Sequence, residues 1–130
     1  MDIGQKALSY HKNGFNCAQS VFAACCEYTG MDEKTALALS AGFGGGARSG
    51  ELCGAVTGAV MAEGLVFPFN DGQDAEAKDR ISSIAKRCVD IAREKYSHVR
   101  CAELKGSIDC SEIIAFMAET AEDIIKKEKN

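Results

Sequence analysis

The chain has 130 residues, 46% of them hydrophobic and 26% charged, a composition typical of one globular domain with a sizeable core. A net charge of −4 gives no basic surface for nucleic acid or an anionic membrane, so we expect neither as a partner. The longest apolar segment, residues 53–69, is interrupted by Glu63, glycines and Pro68, which argues against a membrane span. The first residues lack the pattern of a secretory signal, and we expect a cytoplasmic protein.

Seven cysteines are many for a cytoplasmic chain of this size. An odd number cannot all pair internally, and a reducing compartment disfavours structural disulfides. Cysteine-rich domains inside cells more often use their thiols for metal binding or redox chemistry. The cysteine count is therefore the first indication of function.

Apolar residues at helical spacing predict an all-α, single-domain bundle of five or six helices over residues 1–130. The first helix covers about residues 2–12. The second covers about residues 17–29, with Asn16 as its N-cap and Gly30 as its C-cap. A third helix begins after Asp32 and continues to about residue 42.

A glycine-rich loop, residues 42–50, separates the third helix from a fourth helix at about residues 52–65. The fourth helix is apolar nearly all round, so we expect it to be central. Small residues recur at every fourth position, at Gly54, Gly58 and Ala62, so another backbone can approach closely. We expect an internal helix in that place, with a homodimer as the alternative.

The last two predicted helices have the clearest amphipathic patterns. The fifth covers about residues 73–96, with apolar residues on one face. The sixth begins near Cys110, with Asp109 or Ser107 as its N-cap, and ends in lysines that complement the helix dipole.

Three cysteines, Cys17, Cys53 and Cys110, fall in the first turn of three different predicted helices. Partial positive charge at a helix N-terminus lowers the pKa of a thiol. Cys101 lies in the turn region after the fifth helix. If the helix starts converge, these thiols form one pocket that favours anions, with the glycine-rich loop and Arg48 at its rim.

The other three cysteines give no comparable indication of a site. Cys25 and Cys88 lie on apolar stripes, and we expect them in the core. Cys26 is outside the stripe and has no assigned role. His11 and His98 are far apart in sequence and are expected near helix ends at the surface.

Four features together resemble a known family. They are Phe15-Asn16-Cys17-Ala18, the loop Gly42-Phe43-Gly44-Gly45-Gly46, the run Cys53-Gly54-Ala55-Val56-Thr57-Gly58, and the paired late cysteines. Their order is similar to that of the C_GCAxxG_C_C family, described as redox-active, with four cysteines and a Cys-Gly-Ala-x-x-Gly motif. The resemblance covers nearly the whole chain. It implies that Cys17, Cys53, Cys101 and Cys110 are the family cysteines.

The first functional hypothesis is that these four thiols bind an iron–sulfur cluster for electron transfer or redox sensing with a redox partner protein. Four thiolates are the usual ligand set of such clusters. The backbone of Gly44, Gly45 and Gly46 could donate hydrogen bonds to the sulfur atoms and tune the potential.

The alternative is metal-free thiol–disulfide chemistry, with no cofactor. Here Cys53 is the nucleophile of low pKa, and Cys17, Cys101 or Cys110 resolves the mixed disulfide. A third hypothesis is a structural zinc site with the same four cysteines, or a helical binding module. The sequence leaves open whether the protein is an enzyme.

Overall fold

A computed structural model describes residues 1–129, and within this range the fold is all-α, as predicted. Six helices have eight or more residues and two have four. In chain order they are α1 Ile3–Lys12, α2 Cys17–Ala24, α3 Cys26–Thr29, α4 Glu33–Ser40, α5 Gly54–Val66, α6 Ala75–Tyr96, α7 Cys101–Leu104 and α8 Cys110–Lys129.

Local capping contacts start helices α2 and α8, which begin with Cys17 and Cys110. At α2 the Asn16 side chain accepts a hydrogen bond from the backbone N–H of Gln19 at 2.9 Å. The Gln19 side chain accepts one from the N–H of Asn16 at 3.0 Å, which completes a capping box in front of Cys17. At α8 the Asp109 carboxylate accepts from the N–H of Ser111 at 2.8 Å. Short-range sequence therefore determines where both helices begin.

The predicted second helix is wrong in one respect, because it is divided at Cys25. This residue has φ −84° and ψ 0°, and its N–H bonds to the carbonyl of Phe22, three residues back, at 3.1 Å. Such tighter hydrogen bonding interrupts the α-helical pattern. The four-residue α3 follows and ends at Gly30 in the left-handed conformation, φ 73°.

The central position predicted for the helix after the glycine-rich loop is confirmed. Helix α5 packs against α2, α3, α6 and α8. The long amphipathic helices α6 and α8 close the bundle around it, with Ile84 of α6 and Ile114 and Met117 of α8 in the core. No helix within residues 1–129 combines the length and the apolar character that crossing a bilayer requires.

The small-residue face of α5 packs against α2, as expected for an internal partner. A Cβ atom on Gly58 would lie 2.8 Å from the carbonyl oxygen of Ala18 and 3.2 Å from the Cβ of Val21. A Cβ atom on Gly54 would lie 2.5 Å from the Sγ of Cys17. Glycine therefore lets the two helix backbones meet at these positions.

We expect Gly58→Ala to destabilise the fold. Helix propensity alone would favour alanine by about 1 kcal/mol, but the methyl group needs space that the Ala18 carbonyl occupies. Overpacking of this kind costs about 1–3 kcal/mol, so the net effect should be a lower free energy of unfolding in urea.

Gly64→Ala is the matched control, because Gly64 lies on the same helix and no atom of the described residues 1–129 lies within 4 Å of its Cβ position. That variant should be stabilised by about 0.5–1 kcal/mol. Equal effects of the two substitutions would contradict the close packing of α5 on α2.

Candidate functional site

The four cysteines that the sequence singled out line one cavity of about 170 Å³. Cys17, Cys101 and Cys110 are the first residues of α2, α7 and α8, and Cys53 directly precedes α5. The rest of the wall is formed by one glycine, one lysine and three apolar residues: Gly45, Leu104, Lys105, Ile108 and Ile113. Four helix starts therefore converge on a common space.

The remaining cysteines lie elsewhere. Cys25 and Cys88 are completely buried, as predicted for core residues. Cys26 is half-buried and lines a separate depression beside α1. Within residues 1–129, no three His, Cys, Asp or Glu side chains are arranged as ligands for a metal ion.

Cys53 and Cys101 are brought together by a short antiparallel pairing. The N–H of Cys53 donates to the carbonyl of Val99 at 2.8 Å, and the N–H of Cys101 donates to the carbonyl of Glu51 at 2.7 Å. The segment before α5 thus runs beside the segment before α7. This pairing is too short to show strand alternation, so it could not be predicted from the sequence.

The Cys53 thiol lies beside the Cys17 sulfur in this cavity, and its action as a hydrogen-bond donor is the main cause of the lowered pKa of Cys17. Backbone N–H groups of Gly45, Ala18 and Cys17 itself also donate to this sulfur. Burial opposes these contacts, and the pKa of Cys17 is about 6. At neutral pH Cys17 is therefore mostly a thiolate, which is the reactive form.

The prediction that Cys53 has the low pKa is wrong. Its pKa is raised, first because its thiol is hydrogen-bonded to Cys17 and second because it is buried, with 5% of its surface exposed. The N–H groups of Ala55 and Val56 at the start of α5 act in the opposite direction without reversing the shift. Cys17 is the half-buried member of the pair and carries the charge.

The glycine-rich loop consists of two consecutive turns. A 3₁₀ turn, Ala41–Phe43, is followed by a wider turn, Gly46–Gly50. Gly45 and Gly46 take φ values of 64° and 66°, a left-handed conformation that favours glycine. This conformation directs the Gly45 N–H toward the sulfur of Cys17.

Gly44 connects the loop to the start of α2. It is buried against the Asn16 side chain, whose atoms would overlap a Cβ at this position. The amide of Asn16 also donates a hydrogen bond to the carbonyl of Ala41 at 2.9 Å. The cap of α2 and the loop that donates to Cys17 are thereby held as one unit.

Gly54 makes room for the reactive sulfur. The Cys17 Sγ lies 2.5 Å from the place that a Cβ of residue 54 would take, and the carbonyl oxygen of Phe43 lies 3.0 Å from it. A larger residue after Cys53 would displace the sulfur of Cys17. The Cys-Gly pair is thus explained by contact between the starts of α2 and α5.

Glu63, on the opposite part of α5, is a buried charged residue that the sequence analysis treated only as an interruption. It is 0% exposed, and among residues 1–129 neither carboxyl oxygen has a partner in hydrogen-bonding geometry. Burial raises the pKa of Glu63 to about 7, although the neighbouring Cys88 thiol and Arg87 act to lower it. In the sequence, a single glutamate within an otherwise apolar helix is the pattern that indicates such a buried carboxyl.

The comparisons with known proteins agree with the arrangement of the cysteines. A family model described as "Putative redox-active protein (C_GCAxxG_C_C)" matches residues 15–124. The matched range contains the glycine-rich loop and all four cysteines of the cavity. Curated proteins and solved structures give no match.

Proposed function

This chain belongs to the C_GCAxxG_C_C family of redox-active proteins, and we propose that it is a thiol–disulfide redox protein in which Cys17 and Cys53 form a reversible disulfide. The observation that carries this proposal is that Cys17 and Cys53 line the same cavity, where the neighbouring Cys53 thiol helps to lower the pKa of Cys17 to about 6. Disulfide exchange requires a thiolate with a second thiol close by. Both are present at the start of α2 and α5.

In the proposed cycle the Cys17 thiolate attacks one sulfur of a substrate disulfide. The substrate S–S bond breaks, a mixed disulfide forms, and the first product leaves as a thiolate that takes up a proton. Cys53 then gives up its proton and attacks the Cys17 sulfur, which releases the second product thiol. Two electrons pass from the protein to the substrate, and a dithiol reductant regenerates the pair.

Each neighbour of the pair has a role in this cycle. The N–H groups of Ala55 and Val56 stabilise negative charge on Cys53 when it attacks. Cys101 and Cys110 line the same cavity and can exchange with the oxidised pair. Cys110 is the exposed member of the four, so it is the thiol that would exchange with a redox partner protein.

Oxidation in a glutathione buffer, followed by thiol blocking and peptide mapping, tests the proposal. We expect one major intramolecular disulfide, between Cys17 and Cys53. In Cys53→Ser the mixed disulfide of Cys17 with glutathione should accumulate relative to wild type because the resolving thiol beside Cys17 is absent. Cys26→Ser is the control, since this half-buried thiol lies outside the cavity, and it should behave as wild type. A pair that stays reduced while other cysteines oxidise would contradict the proposal.

The second candidate function is iron–sulfur binding for electron transfer or redox sensing. It is favoured by one observation, that Cys17, Cys53, Cys101 and Cys110 line the same cavity. Four thiolates would be the ligand set, and the Gly45 N–H would tune the potential. Iron and acid-labile sulfide in protein purified without oxygen would support this function. Zinc in the same measurement would support a structural site instead.

A further inference from the structure

A polar depression of about 260 Å³ adjoins the cysteine cavity. The two spaces share part of their walls, formed by Gly45, Cys101 and Lys105. The rest of the depression is lined by residues of the loop and of α7: Arg48, Gly50 and Ala102. A molecule that reaches the thiols through this depression therefore passes between an arginine and a lysine.

Arg48 and Lys105 are exposed, and the neighbouring carboxylates have other partners. Glu51 pairs with Arg100 at 3.3 Å. Asp109 accepts the N–H of Ser111 at the cap of α8. Within residues 1–129 the two cations at the depression form no ion pair, so their charge is available to an anion.

Arg48 has a left-handed backbone conformation. Arg48 and the preceding Ala47 have φ values of 62° and 57°, which are unfavourable for residues other than glycine. The turn places the Arg48 Nη1 atom 3.9 Å from the Cβ position of Gly45, the residue whose N–H donates to Cys17. The guanidinium therefore lies beside the residue whose N–H acts on the reactive thiolate.

The cysteine cavity itself suits a slender molecule. Its walls include the apolar side chains of Leu104, Ile108 and Ile113. Cys53 has only 5% of its surface exposed, so the resolving thiol is recessed. A disulfide on a flat protein surface would not reach the pair, whereas a small disulfide with short apolar arms would.

We propose that the substrate is a small disulfide that carries negatively charged groups, held by Arg48 and Lys105 while its sulfur atoms meet Cys17. This inference rests on the proposed thiol–disulfide function, and the reaction is the same two-electron exchange. Cys17 forms a bond to one substrate sulfur while the other half leaves as a thiol. Cys53 then attacks the Cys17 sulfur and displaces the bound half, so that two small thiols leave with the two electrons. Charge recognition occurs in the depression and chemistry in the adjoining cavity.

Exchange rates with three dialkyl disulfides of similar size test the inference. The probes are dianionic 3,3′-dithiodipropionate, neutral bis(2-hydroxyethyl) disulfide and dicationic cystamine. In the reduced wild-type protein we expect the anionic probe to react about tenfold faster than the neutral one, and cystamine to react slowest. Added salt should reduce the difference.

The Arg48→Gln, Lys105→Gln double variant should lose this preference, so that its rates with the anionic and the neutral probe become similar. The matched control is Lys127→Gln with Lys126→Gln, which removes two exposed charges at the far end of α8 and should keep the preference.

The outcomes separate the two proposals. Equal rates with all three probes, or a preference that survives in the double variant, would overturn the charge recognition while disulfide exchange itself stands. Exchange with a protein disulfide but with none of the small probes would overturn it as well. No exchange with any disulfide would overturn the proposed function and this inference together.

Discussion

Replacing Cys17 by serine should slow the fastest disulfide exchange of the protein by roughly tenfold at pH 6.5. A thiol of pKa about 6 is largely ionised at that pH, whereas ordinary thiols are almost entirely protonated. The lower intrinsic nucleophilicity of a stabilised thiolate offsets only part of this advantage. The pH midpoint of the reaction should move from about 6 in wild type to above 8 in the variant. Rates measured from pH 5 to 9 with the neutral disulfide give both quantities.

Two further variants test the cause of the low pKa. Cys53→Ser keeps an O–H that can donate to Cys17, and the midpoint should stay low. Cys53→Ala removes the donor, which is the largest favourable contribution, and the midpoint should rise clearly. Cys110→Ser serves as the control, because this exposed thiol shares the cavity without contributing to the pKa of Cys17. A midpoint that stays near 6 without Cys17 would assign the reactive thiolate to another cysteine.

Glu63→Met should stabilise the protein at pH 8 by roughly 2–3 kcal/mol. The buried carboxyl has a pKa of about 7 in the folded state and 4.5 as a model value, so the folded state retains its proton more strongly. The neutral carboxyl contributes to the free energy of unfolding, and this contribution is fully present below the pKa of the unfolded state. It falls as pH rises from about 4.5 to 7. The loss over this window is roughly 3 kcal/mol. Methionine has a similar length and carries no charge.

Urea denaturation between pH 4.5 and 8 measures this effect. The difference between wild type and Glu63→Met should grow across that range and then level off. Glu94→Gln is the control, because Glu94 is exposed on α6 and its replacement should leave the profile unchanged. A variant that is less stable than wild type at pH 8 would mean that Glu63 has a stabilising partner.

The parts of the site that depend on local signals were predictable. Asn16 and Asp109 are good capping residues, and they determine that α2 and α8 begin at Cys17 and Cys110. The apolar spacing around Cys88 likewise placed this residue in the core. In each case the relevant contacts lie within one or two helical turns.

The parts of the site that depend on tertiary contacts could not be predicted from the sequence. The approach of Cys101 to Cys53 follows from backbone hydrogen bonds between segments almost fifty residues apart. The choice of Cys17 over Cys53 as the thiolate depends on the N–H of Gly45, whose direction is set by a left-handed turn. The environment of Glu63 includes Cys88 and Arg87 of another helix. Helix periodicity contains no information on these contacts.

The contact between the starts of α2 and α5 has a consequence for the thermal behaviour of the protein. A bond between Cys17 and Cys53 would close a loop of roughly 40 residues, and a cross-link of that length restricts the unfolded chain by about 3–4 kcal/mol. The loop contains α2, α3, α4 and the glycine-rich turn that donates to Cys17. In the proposed cycle, the oxidised protein would therefore melt at a higher temperature than the reduced one, and its resistance to proteolysis would report its redox state.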